Sequence, residues 1–139
     1  RLEPVLNTIR SMKQLGVWVE LTTLVIPGEN DTDDEFAAIA EFIAGIDKEM
    51  PWHISRFHPE YQFTTYEPTP IETLKRAKKI GQEKGLKYVY LGNVLQGSDT
   101  YCGRCGHILL KRTYYTIDVN EIKNGQCPKC HTPVKGVWS

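Results

Sequence analysis

Two Cys-x-x-Cys pairs, Cys102-Gly-Arg-Cys105 and Cys127-Pro-Lys-Cys130, are the residues here whose type and spacing speak most directly of chemistry. Two intervening residues let both thiolates of a knuckle face one ion while backbone N–H groups turn toward the sulfurs. Gly106, just past the first pair, suits the positive φ that such a turn often needs. Four thiolates in tetrahedral array fill the coordination shell of zinc, so the pattern predicts a structural site with no open position for a substrate. A single iron in the same cage, as in rubredoxin, fits the same pattern, and two disulfides are the remaining alternative. His107 and His131 each adjoin a knuckle. With four cysteines at hand, they read as exposed loop residues rather than ligands.

Residues 106–126 separate the knuckles and hold two strand-like runs, Ile108-Leu-Leu and Tyr114-Tyr-Thr-Ile. Paired, these would carry the second knuckle back to the first. A module this small buries too little apolar surface to fold alone, so metal binding is expected to supply its folding free energy. All four cysteines lie at or beyond position 102. A secreted disulfide framework would spread them along the core, so their grouping implies a reducing, cytoplasmic setting.

Upstream, the chain alternates helix and strand patterns. Leu2, Val5, Leu6, Ile9 and Met12 recur at helical spacing over 2–15, with Gly16 as a stop. The run from Val17 to Ile26 is rich in β-branched residues and largely apolar on both faces, as a covered strand should be. Thr32 and Glu35 form a capping box ahead of a helix to about 47. Trp52 to Phe57 reads as a strand and 58–69 as a loop. Thr69-Pro70-Ile71-Glu72 reads as an N-cap, a first-turn proline and a box partner, opening a helix that ends at Gly85. Lys87 to Leu91 is a last strand. The predicted organisation is an α/β part over 1–91, a linker over 92–100 and the cysteine module over 101–139. Alternation at this spacing is the mark of a parallel sheet.

The bulk numbers set limits. At 139 residues there is room for one modest domain plus a metal-stapled appendage. Seventeen basic and seventeen acidic residues cancel, which argues against a dedicated nucleic-acid binder. No stretch approaches the roughly 20 apolar residues that cross a bilayer. The pattern opens inside a helix with no initiator Met, so the chain reads as a fragment whose partner is the missing N-terminal half. An unpaired strand at 17–26 predicts self-association of such a fragment.

Within that strand Trp18, Glu20, Thr22, Leu24 and Ile26 share one face. Its polar pair, Glu20 and Thr22, is either simply exposed or lines a barrel lumen that holds a polar ligand. The strand ends in Val-Ile-Pro27-Gly28, followed by Asn30-Asp31-Thr32 and an acidic helix start. This resembles the fifth strand and helix of radical S-adenosylmethionine enzymes of the pyruvate formate-lyase activating type. Trp52-His-Ile-Ser-Arg-Phe-His58-Pro59 is similar to the sixth strand of that family. The whole chain, through the cysteine tail to Gly136-Val-Trp138, resembles the AmmeMemoRadiSam radical enzymes.

The resemblance implies the C-terminal part of a partial (βα)6 radical SAM barrel followed by a small zinc ribbon. It implies S-adenosylmethionine and a [4Fe–4S] cluster as cofactors of the full-length enzyme. Thr22, Leu24 and His58 are where this sequence would touch S-adenosylmethionine, with Leu24 beneath the adenine and His58 near the ribose. Thr22 stands where the activating enzymes carry an Arg, which removes a charge contact. The cluster motif Cys-x-x-x-Cys-x-x-Cys is absent from this chain. The chain is therefore expected to be inert alone, with an unknown protein or small molecule as substrate of the full enzyme. A rival reading is a zinc-ribbon binding module for a protein or nucleic acid, using Lys111, Arg112, Tyr114 and Tyr115. Rubredoxin-like electron transfer is a third.

Overall fold

The structure is a computed structural model that describes residues 1–63, 65–114 and 116–138. Its elements follow in the order α1 (Glu3–Gln14), β1 (Leu21–Val25), α2 (Asp33–Ile46), β2 (Trp52–Arg56), α3 (Ile71–Glu83), β3 (Val89–Gly92), β4 (Thr100–Tyr101), β5 (Ile108–Thr113) and β6 (Thr116–Asn120). The first three strands form a parallel sheet in chain order, β1-β2-β3, with Leu21 opposite Trp52 and Trp52 opposite Val89. The last three form a separate antiparallel sheet, β4-β5-β6.

Alternation along the parallel strands decides which side is dry. Val25, Trp52, Ile54, Val89 and Leu91 are buried with Phe36, Ala40 and Ile43 of α2 and Leu74 and Ala77 of α3. The capping box of α2 forms in full: Thr32 Oγ1 accepts from the Glu35 backbone N–H, and Glu35 Oε2 accepts from that of Thr32, both at 3.3 Å. Helix α1 departs from its pattern, because none of its residues is buried. Only Ile9 reaches the core edge, and Lys13 pins the helix to Asp47 at 2.9 Å. Leu2, Val5 and Leu15 stay exposed.

Two expectations are corrected. The partial (βα)6 radical SAM barrel is not what the chain forms. Over the described residues the fold is a small mixed domain of three helices and two three-stranded sheets with a cysteine cluster. The physical reason lies on the polar face of the parallel sheet, where Glu20, Thr22, His53, Ser55 and Tyr90 alternate with the core residues. Among the described residues that face does not curve round a lumen of further parallel strands. It looks across a cleft at Leu110, Arg112 and Ile117 of the antiparallel sheet. Second, Thr69 does not cap α3, whose N-cap is Pro70 without a side-chain bond. The Thr69 hydroxyl is fully buried; it donates to the Val25 carbonyl at 2.6 Å and accepts from the Phe57 N–H at 3.0 Å. It ties the ends of β1 and β2 together, a stronger demand than an exposed cap.

One close approach sets the distance of α3 from the sheet. A Cβ at Gly81 would lie 2.9 Å from Trp52 Cζ3 and 3.3 Å from Val89 Cγ2. The indole cannot swing aside freely, because its Nε1 donates to Thr23 Oγ1 at 3.0 Å. Alanine would gain about 1 kcal/mol of helix propensity here. Overpacking costs about 1–3 kcal/mol and should win. Gly81→Ala is thus expected to lower the urea midpoint, and a raised midpoint would show that the helix can lift from Trp52 at no cost.

Candidate metal centre

The two knuckles repeat one backbone design. In the first, the Cys102 N–H donates to the His107 carbonyl at 2.8 Å and the Gly106 N–H to the Cys102 carbonyl at 2.9 Å. In the second, the Cys127 N–H donates to the Thr132 carbonyl at 3.0 Å and the His131 N–H to the Cys127 carbonyl at 2.9 Å. The fourth residue after each leading cysteine has positive φ: Gly106 at 70° and His131 at 56°. Glycine takes that conformation freely, whereas histidine pays a steric cost there. Strands β5 and β6 and the loop after them bring the second knuckle back, through bridges of Gln126 with Lys123 and Pro133.

All four sulfurs lie within 4.8 Å of one another, so the group can hold a metal ion. Cys102 Sγ is 3.5 Å from Cys130 Sγ, and Cys105 Sγ is 3.7 Å from Cys127 Sγ. A tetrahedral ion bound through thiolates sets sulfur–sulfur separations of about 3.8 Å. A disulfide needs about 2.05 Å, and all four cysteines are free. Beneath the site is a small core of Cys102, Leu109, Cys127 and Val134. Neither histidine belongs to the group. His107 Nε2 instead meets Glu121 Oε2 at 2.6 Å, and His131 is exposed.

Without metal, the sulfurs do not ionise alike. The Thr132 hydroxyl, 3.3 Å from Cys130 Sγ, and the Thr132 backbone N–H draw that thiol down to about 6. The His107 backbone N–H also lowers Cys105, but burial and its neighbouring thiols push it up to about 11. Cys130 is therefore the more acidic of these two thiols.

Of the other predicted site residues, Leu24 and His58 line one cavity of about 580 Å³, together with Arg56, Asn93 and Tyr114. Thr22 does not join them. It opens instead on the larger cleft between the sheets, about 810 Å³. Arg112 of the supposed nucleic-acid patch turns inward, donating through Nη1 to the Ser98 carbonyl at 2.7 Å and to Thr100 Oγ1 at 2.8 Å. Tyr115 lies outside the described residues. His53 was missed in the sequence, although the alternation of Trp52 and Ile54 with His53 and Ser55 put it on the same face as Glu20. Its Nε2 lies 2.6 Å from Glu20 Oε2.

No family model matches the chain. The chain is 43% identical over 134 residues to an uncharacterized protein, MJ0808, of Methanocaldococcus jannaschii. That match covers 93% of this chain and 40% of the relative, so the chain spans well under half of the curated relative's length. Among the described residues no helix is long and apolar enough to cross a membrane.

Proposed function

We propose that this chain is the C-terminal portion of a radical S-adenosylmethionine enzyme of the activating type, stapled by a structural zinc ion. Convergence of four thiols within 4.8 Å carries the zinc half of the reading. Cys102, Cys105, Cys127 and Cys130 would hold the ion, and their number leaves it no open position for a substrate. The enzyme half rests on the strand resemblance and is supported by the shared cavity of Leu24 and His58. A relative much longer than the chain agrees with the rest of the enzyme lying in another part of the polypeptide. That part would carry the iron–sulfur ligands, since every cysteine here is committed to the tail.

In this reading Leu24 offers an apolar platform and His58 a hydrogen bond to the bound cofactor. Leu24 and His58 are both exposed in the isolated chain, as residues awaiting a ligand would be. The test is made on the longer protein. Reductive cleavage of S-adenosylmethionine should occur there and not with this chain alone. His58→Ala should raise the cofactor concentration needed for half-maximal rate, by about 1 kcal/mol for one hydrogen bond. A longer protein that binds no cluster and cleaves no cofactor would end the enzyme reading while leaving the zinc site intact.

A further inference from the structure

The cleft between the two sheets holds a group that the proposed function does not use. Both oxygens of Glu20 are occupied: Oε1 accepts from Trp18 Nε1 at 2.9 Å, and Oε2 meets His53 Nε2 at 2.6 Å. Burial works against the charge on Glu20, but these two donors outweigh it and hold the carboxyl below its usual range. A carboxylate only accepts, so it fixes the proton of neutral His53 on Nε2 and leaves Nδ1 as a free acceptor. Nδ1 has no hydrogen-bond partner among the described residues, and no buried side-chain nitrogen or oxygen lacks one. It is therefore open to the cleft solvent. The ring is held by stacking on Tyr90, centroids 5.2 Å apart, and the Tyr90 hydroxyl lies 3.1 Å from Thr100 Oγ1.

Across the cleft, Arg112 of β5 lies over the same Tyr90 ring, its Cζ 5.9 Å from the centroid. Its Nη1 is engaged by the Ser98 carbonyl and Thr100 Oγ1, which orients the guanidinium. Its Nε and Nη2 hydrogens have no partner among the described residues. Lys135 also lines the cleft, with its Nζ 3.9 Å from Glu49 Oε2. Glu20 keeps its charge, but both its oxygens are already engaged, whereas Arg112 keeps donors without a partner among the described residues, and guanidinium suits oxyanions in particular.

We propose that this cleft binds a small molecule bearing a carboxylate or phosphate beside a hydroxyl or amine. Arg112 takes the oxyanion, and His53 Nδ1 accepts the hydrogen bond. One partner comes from each sheet, so the site exists only while the cysteine module is folded. The inference concerns the cleft alone and does not depend on the radical-enzyme reading.

The test uses the zinc-loaded chain and NMR of the His53 ring nitrogens and the Arg112 Nε–H. Sodium glycolate and inorganic phosphate are titrated separately, with sodium chloride at matched ionic strength as control. Saturable shifts at both residues with glycolate or phosphate are expected, and which anion saturates tells carboxylate from phosphate. Arg112→Gln should weaken the binding by about tenfold or more, as loss of a charge-assisted contact implies. Because Arg112 also anchors Ser98 and Thr100, a second variant is needed. His53→Gln should keep anion binding but erase the preference for glycolate over acetate. Shifts that track chloride, or saturation unchanged in both variants, would overturn the proposal.

Discussion

Cys127→Ser will release the metal and unfold residues 100–138 while the parallel-sheet part stays folded. Cys127 is fully buried at the centre of the module, among Cys102, Leu109 and Val134. Those few side chains cannot offset the conformational entropy of roughly forty residues at about 1–2 kcal/mol each. Zinc bound by a full set of thiolates supplies about 10–16 kcal/mol in small metal-dependent folds. Losing one ligand removes most of that and leaves three sulfurs, one of them the buried Cys102, without their ion. The larger core contains none of the module's residues, so its protection should survive. Metal analysis and amide hydrogen exchange read the two halves separately. A variant with a full complement of metal and unchanged protection in β5 would refute the assignment.

The other large effect is expected at Trp52. The residue is fully buried, begins β2, sits under Gly81 of α3 and donates to Thr23. Trp52→Ala should cost about 3–5 kcal/mol, since the helix and sheet around so large a void relax only in part. For a domain with a total stability of about 5–15 kcal/mol, that is enough to bring it close to unfolding. Trp52→Phe should cost less, leaving mainly a smaller void and the Thr23 hydroxyl without its partner. Urea melts followed by far-ultraviolet circular dichroism will rank the two. Equal midpoints would mean that the indole is not the keystone its burial implies.

Local signals were legible wherever the cause was local. The capping box at Thr32 and Glu35, the β-branched run from Val17 to Ile26, of which Leu21–Val25 forms the strand, and the two knuckles each declare themselves within a few residues. What covers a sheet face is not local. The apposition of the antiparallel sheet and the polar face depends on single side chains far apart in the chain. Tyr90, Thr100 and Arg112 make it, and no periodicity marks them. A strand ending in Val-Ile-Pro-Gly looks the same whether it bounds a barrel or an open sheet, so the resemblance reached too far on the fold. The apolar spacing of α1 marks a helix, and the helix forms, yet none of its residues is buried. The spacing says which face is apolar and nothing about what stands opposite it.

The chain order of the parallel sheet bears on how the molecule comes together in time. Each strand pairs with its immediate predecessor, so no strand waits for a partner made much later. Each closure spans one helix and its loops, and lengthening such a loop twofold would cost only about 0.6 kcal/mol more. A chain emerging N-terminus first can thus lay down one βα step at a time. The Thr69 hydroxyl latches the first two strands, Val25 and Phe57, as α3 begins. The antiparallel sheet closes across short connections, and on the proposed metal site it would then wait on an ion rather than on more sequence. With the proposed ion as the staple of the cysteine module, synthesis would pace the first half of the molecule and the local supply of metal the second.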